Sequence, residues 1–185
     1  MDEAEGDESA AALARIGTAV AKYWICKRAP NLIFEAMECH GGPGYVEECI
    51  LPRLYREAPV NSIWEGSGNV VCLDVLRAMF REEAAIPAFL AEVEQAKGGH
   101  ALLDRLIAEV QAELADPSDL ELRARRVTEM LALAMQGSLL VRHAPAAVSD
   151  AFCRARLGDR WSGAYGTLPR DSDFDAILGR ARGEG

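Results

Sequence analysis

Two short strings in this chain combine residue types that could do chemistry. The first is Asn61-Ser62-Ile63-Trp64-Glu65-Gly66-Ser67-Gly68-Asn69, which sets a carboxylate beside glycines just ahead of an apolar helical run. A carboxylate so placed can serve as a general base, because burial raises its pKa towards working pH while a helix N-terminus opposes that rise. A purely structural alternative uses the same residues. Ser62 and Glu65 have the S-x-x-E spacing of a capping box, in which Glu65 would tie up its own backbone. Gly66 and Gly68 would then fall in the first helical turns, where each costs roughly 1 kcal/mol relative to alanine. A helix beginning near Ser67 avoids that cost and leaves Glu65 free to point into a cavity, with Trp64 beside it.

The second string is Glu38-Cys39-His40-Gly41-Gly42-Pro43-Gly44-Tyr45. Glycines let a backbone approach a ligand closely, and their amides can hydrogen-bond phosphate oxygens. The alternative is a helix C-cap followed by a turn. His40, His100 and His143 lie far apart and share no ligand spacing, and the five cysteines form no C-x-x-C pair, so no metal site is expected.

The elements around these strings are expected to be helical. Half of the residues are hydrophobic, enough for a core, and the abundance of alanine and leucine with few aromatics favours helices over sheets. No stretch of five or more alternating apolar residues marks a strand, and no run of about 18 apolar residues marks a membrane span. Leu13, Ile16, Val20, Tyr23, Trp24 and Lys27 make one helical stripe, which Pro30 is expected to end. A short helix over 31–40 follows, with Leu32, Ala36 and Met37 inward, and then Gly41-Gly42-Pro43-Gly44, expected to be non-helical. Short helical turns are expected over 46–58. Val71, Leu73, Val75, Leu76, Met79 and Phe80 predict a wide apolar face after the break at 62–68.

Further on, a helix over 84–95 stops at Gly98-Gly99, and Leu102, Leu103, Leu106, Ile107, Val110 and Leu114 form the cleanest amphipathic pattern. Asp116-Pro117 ends that helix, and Ser118 with Glu121 fits a capping box for the next, which runs to about Val141. Pro145 opens a helix through Arg156. A last small helix over 171–182 would dock through Phe174, Ile177 and Leu178. The expected organisation is an acidic disordered leader at 1–8, a bundle core at 9–98 holding both strings, and a helical extension at 99–185.

A net charge of −9 disfavours non-specific nucleic-acid binding. Arg123, Arg125, Arg126, Arg154, Arg156 and Arg160 are the residues that could oppose that reading. The bland account is a solvated face, with Glu121 placed to pair with Arg125. An odd number of cysteines, no secretion signal and no spanning segment point to a reduced, cytoplasmic setting.

Several strings in order resemble the acyl-CoA dehydrogenase superfamily. They are Ala21-Lys22-Tyr23-Trp24, then 38–45, then Pro52-Arg53-Leu54-Tyr55-Arg56-Glu57-Ala58-Pro59, then 61–69. The form of 53–59 and 61–69, with Trp161, Gly163 and Tyr165-Gly166-Thr167-Leu168-Pro169, is similar to the AidB-like branch. The resemblance covers nearly the whole chain from Leu13. It implies an all-α fold: a helical bundle of the acyl-CoA dehydrogenase C-terminal type with a helical C-terminal extension.

By this resemblance, Glu65 matches the base of the E-G-[ST] motif, which removes the α-proton of an acyl-CoA thioester while FAD takes the β-hydride. Trp64 and Gly66 match substrate-binding positions. Gly41, Gly42 and Gly44 match a G-G-x-G turn that touches FAD, usually of a neighbouring subunit, and Glu38, Ser67 and Asn69 match further cofactor-binding positions. Glu38 stands where many relatives have glutamine, and Trp64 where tyrosine is common. The family's N-terminal helical and middle β-domains have no counterpart in this sequence, nor has the first long helix of its C-terminal bundle. The chain alone is therefore expected to retain little FAD, to lack dehydrogenase activity and to form a homo-oligomer through its uncovered apolar face. The alternatives are a DNA-associated alkylation-response protein, since the branch's namesake binds DNA, and a non-catalytic helical interaction domain.

Overall fold

The computed structural model describes residues 7–159 and 163–183, and every regular element among them is helical. Residues 1–6, Arg160 and Trp161 lie outside the described residues. The helices are α1 (Glu8–His40), α2 (Gly42–Tyr45), α3 (Leu51–Glu57), a 3-10 turn (Ala58–Ser62), α4 (Gly68–Arg81), α5 (Ala85–Glu94), α6 (Ala101–Ala115), α7 (Ala124–His143), α8 (Ala146–Arg156) and α9 (Phe174–Arg182).

Residues 7–88 with 118–129 make one compact unit, and 89–117 with the described residues from 130 onward make another. Each has its own apolar core.

In the first unit, α1 and α4 pack together. Asp7 caps α1 by accepting from the amides of Ser9 (2.9 Å) and Ala10 (3.4 Å), so the helix already begins inside the expected leader. Ala12, Ile16, Ala19, Val20 and Tyr23 face inward, and Val71, Cys72, Val75, Leu76 and Ala78 face inward from α4. Arg15 grips Asp74 with two parallel hydrogen bonds of 3.0 Å, and this guanidinium holds the Asp74 carboxyl below the usual carboxylate range.

The long α1 departs from the expected pattern. Pro30 does not end it: the 33-residue helix runs through the proline to His40. A mid-helix proline removes a hydrogen bond and crowds the preceding turn. Packing on both sides of Pro30 offsets that penalty: Ile16 to Tyr23 pack in the core, while Phe34 lies 6.1 Å from the Tyr55 ring of α3. Leu32 points outward (56 % exposed), as do Leu73, Phe80 and Lys27. Helical spacing locates a face but not its edges. Gly42–Tyr45 forms a helical turn where a break was expected; Pro43 suits a first turn because it needs no amide partner.

The helix expected to open at Ser118 starts later. Residues 118–123 are turns, with Asp119 at φ 50°, and α7 starts at Ala124. Glu129, near its N-terminal end, is half-buried, and burial pushes its carboxyl above the usual range, with Arg28 opposing. The folded state thus holds the Glu129 proton more tightly than the unfolded chain. Charging this group on folding costs stability at neutral pH, and that cost vanishes as pH falls through the folded pKa. Glu129→Gln is expected to raise the urea midpoint at pH 7 and to lose its advantage near pH 4; an equal shift at both pH values would refute the burial argument.

In the second unit, Phe89, Val93, Leu103, Ile107, Val110 and Leu131 are fully or nearly fully buried. Arg142 pairs with Glu92 at 2.6 Å, and Ser138 donates to the Glu92 carbonyl. Burial, helped by Asp150, pushes the Cys153 thiol up to about 11. Ion pairs of Arg154 with Asp150 and Asp171 hold the segment before α9. Phe174 and Leu178 of α9 remain about half exposed, so only Ile177 matches the expected docking role.

Candidate functional site

The 61–69 string forms a loop between the 3-10 turn and α4. Its geometry favours a free carboxylate over a capping one. Ser62 donates its hydroxyl to the Pro59 carbonyl (3.1 Å), and the amides of Ile63 and Trp64 donate to the Val60 carbonyl. Among the described residues, the Glu65 side chain makes no hydrogen bond and no ion pair. α4 starts at Gly68 with Ser67 in the cap position, in extended backbone and with no side-chain cap bond. Glu65 itself sits at φ 54° and Gly66 at φ 112°. The left-handed region costs a non-glycine residue roughly 1–2 kcal/mol, so the loop needs something to hold it there.

Lys22 of α1 supplies that hold. Its Nζ donates to the carbonyls of Gly66 (2.9 Å), Trp64 (3.1 Å) and Asn61 (3.4 Å). No spacing rule links residue 22 to a loop about forty positions later, so sequence reasoning passed over this function. The available signals were a cation beside the buried stripe at Tyr23 and its place in the string Ala21-Lys22-Tyr23-Trp24.

The expected burial of Glu65 is not provided by these residues. Glu65 is exposed, and Trp64 beside it is 59 % exposed. The loop lies on the surface of its unit, and nothing among the described residues of that unit roofs it. Asn69 is also exposed, and its Oδ1 accepts from Arg125 Nε at 2.6 Å. That bond replaces the expected Glu121–Arg125 pair, because Glu121 lies in the turns before α7. Asn69 lines a groove of about 360 Å³ with Cys72, Leu73, Leu122 and Arg125. A larger cavity, about 550 Å³, lies in the second unit beside Leu102, Arg154 and Thr167 and holds none of the candidate site residues.

The second string sits at the C-terminal end of α1. Glu38 is exposed in the last turn, where its carbonyl accepts from the Gly41 amide at 3.0 Å. Gly41 turns the chain at φ 60°. A side chain at Gly41 or Gly42 would meet nothing within 4 Å, so their backbone faces open space that a diphosphate could enter. Gly44 differs: a Cβ there would lie 2.3 Å from the Met37 carbonyl and 2.9 Å from His40 Cβ. Gly44→Ala is expected to lower stability by about 1–3 kcal/mol, whereas Gly42→Ala should change the denaturation midpoint little. Loss of flavin binding in Gly42→Ala would then report contact, not misfolding.

The structure does not bring the two strings together on one chain. At 1.5 Å rise per residue, the stretch of α1 from Lys22 to Glu38 separates them by about 24 Å along the helix axis.

Residues 2–80 match the family model of the acyl-CoA dehydrogenase C-terminal domain. AidB of Escherichia coli (strain K12) is 42 % identical over 154 residues, covering 83 % of this chain and 28 % of AidB. The chain belongs to the acyl-CoA dehydrogenase superfamily. Its helical architecture is that superfamily's C-terminal type. Acyl-CoA dehydrogenase family member 11 of Caenorhabditis elegans is 34 % identical over 153 residues, covering 72 % of this chain and 25 % of the relative. The solved structure of Caenorhabditis elegans ACDH-11 in complex with C11-CoA superposes with a TM-score of 0.73 at 30 % identity, covering 84 % of this chain and 31 % of that one. The chain thus spans about a quarter to a third of the length of these acyl-CoA dehydrogenase relatives.

Among the described residues, no helix is long and apolar enough to cross a membrane, and no group of acidic, histidine or cysteine side chains could hold a metal. All five cysteines are free thiols. Arginines of the nucleic-acid alternative are engaged internally: Arg123 with the Ser118 carbonyl, Arg125 with Asn69, and Arg154 with two aspartates.

Proposed function

We propose that this chain supplies the catalytic carboxylate and part of the FAD-binding surface of an FAD-dependent acyl-CoA dehydrogenase. Glu65 is the base that takes the α-proton of an acyl-CoA thioester. FAD, when bound, accepts the β-hydride. The observation that carries this reading is a carboxylate with no partner among the described residues, held at positive φ just before α4. A glutamate spent on capping would have its oxygens on its own backbone. Acyl-CoA as the substrate class follows the C11-CoA complex of the similar Caenorhabditis elegans protein.

The residues fit the cofactor in one respect and strain the fit in another. Gly41 and Gly42 leave open backbone that suits a diphosphate, with Gly44 allowing the tight turn beneath. The Glu38 carboxylate would repel that diphosphate, so Glu38 is placed at the rim of the contact. Ser67 and Asn69 would meet the cofactor from beside the middle of α1. The separation of about 24 Å suits two half-sites, each completed by another subunit, and supports a homo-oligomer as the working assembly. Trp64 and Gly66 would line the acyl pocket, which needs further chain to exclude water from Glu65.

The decisive experiment is anaerobic mixing of acyl-CoA with a full-length flavoprotein carrying this segment, with and without Glu65→Gln. Undiminished flavin reduction in the variant would remove Glu65 from the role of base.

A further inference from the structure

We infer that Lys22 is a positioning residue for Glu65: its ammonium holds the carbonyls on both sides of that residue and so locks the backbone from which the carboxylate is presented. This rests on the reading of Glu65 as the base.

Three observations carry it. An ammonium has three hydrogens, and three carbonyls of one loop converge on Lys22 Nζ. The two closer acceptors, Trp64 and Gly66, bracket Glu65 in sequence: the Trp64 carbonyl belongs to the peptide group that sets the φ of Glu65, and the Gly66 carbonyl lies one peptide beyond the group that sets its ψ, so the grip clamps the backbone across Glu65. Glu65 stands at φ 54° with no help from its own side chain, and unfavoured backbone persists only where surrounding structure over-determines it. Hydrogen bonds from a charged donor are among the stronger ones available for that purpose.

The choice of acceptors matters as much as the grip. Among the described residues, no ion pair joins Lys22 to Glu65. A lysine that paired with the carboxylate would neutralise the base, whereas one that binds the flanking carbonyls orients it and leaves its oxygens free. Lysine also suits the geometry better than arginine. A compact ammonium can sit where three carbonyls meet, while a planar guanidinium presents its donors in a fixed fork.

The test has two arms. In this chain, NMR order parameters at Trp64, Glu65 and Gly66 are compared for the unaltered protein, Lys22→Met and Lys22→Arg. The unaltered loop is expected near the rigid value of about 0.85, falling below about 0.6 in Lys22→Met, with Lys22→Arg between. Values at Val20 and Val75 should not change. An unmoved loop, or loosening spread equally through α1 and α4, would overturn the local role.

In a full-length flavoprotein carrying this segment, Lys22→Met is expected to lower the flavin reduction rate constant about tenfold to a hundredfold. Acyl-CoA affinity should stay within about threefold, and Lys22→Arg should recover part of the rate. Glu65→Gln run alongside separates the two failures. If Glu65→Gln abolishes reduction and Lys22→Met does not slow it, the positioning role is wrong. If Glu65→Gln leaves reduction intact, the base assignment is wrong, and the role of Lys22 in catalysis falls with it.

Discussion

Glu65→Gln, in a full-length flavoprotein carrying this segment, is expected to slow flavin reduction by acyl-CoA about 10²–10⁴-fold, the usual contribution of a positioned general base. The substitution is nearly isosteric but replaces the charged carboxylate with a neutral amide that cannot take a proton. The loop should survive it, because the Glu65 side chain holds nothing: among the described residues it makes no hydrogen bond or ion pair, while Lys22 and the amides of Ile63 and Trp64 keep the backbone in place. Substrate affinity should therefore change far less than the rate of the chemical step. Glu65→Asp offers a second reading of the same point. It keeps a carboxylate but withdraws it by one methylene, and a misplacement of about 1 Å can cost on the order of 10²-fold. The measurement is anaerobic stopped-flow at the flavin absorbance. A rate within a few-fold of the unaltered protein would show that proton abstraction is done by another group.

Phe89→Ala is expected to destabilise this chain by about 3–5 kcal/mol, the range for truncating a large aromatic side chain in a packed core. Among the described residues Phe89 is the largest of the fully buried side chains, with 0 % exposure, and it shares the core of the second unit with Val93, Leu103 and Leu131. Deleting its ring loses the transfer free energy and leaves a cavity that close-packed neighbours fill only in part. Leu122 provides the contrast. It is 86 % exposed, so Leu122→Ala should cost less than about 0.5 kcal/mol although leucine is a stereotypical core residue. Urea denaturation followed by far-ultraviolet circular dichroism checks both. Similar midpoints for the two variants would contradict the burial assigned to Phe89.

Much of the fold was legible in the residues. The amphipathic spacing of Leu103, Leu106, Ile107 and Val110 lands on the buried face of α6, and Asp116-Pro117 and Pro145 mark real helix boundaries. These readings work because periodicity and proline act through local backbone geometry. Where sequence reasoning missed, a distant contact outweighed a local preference. α1 runs through Pro30 because both of its halves are packed, and α7 begins at Ala124, not after a Ser118 cap. Leu73, Phe80 and Leu32 were assigned inward by spacing, yet all three stand exposed.

The candidate site divides in the same way. The residue types and order of several strings, 21–24, 38–45, 52–59 and 61–69, pointed to the family, and 38–45 and 61–69 to the carboxylate to suspect and the glycines around it, since chemistry and tight turns restrict which side chains can stand there. Only tertiary structure decided that Glu65 is unpaired and left-handed, that Gly44 is closely packed while Gly42 is open, and that Lys22 holds the loop. The physical reason is one of range. Backbone preference is written within a few residues, whereas a hydrogen bond from α1 to a loop about forty positions away exists only once the helices have packed.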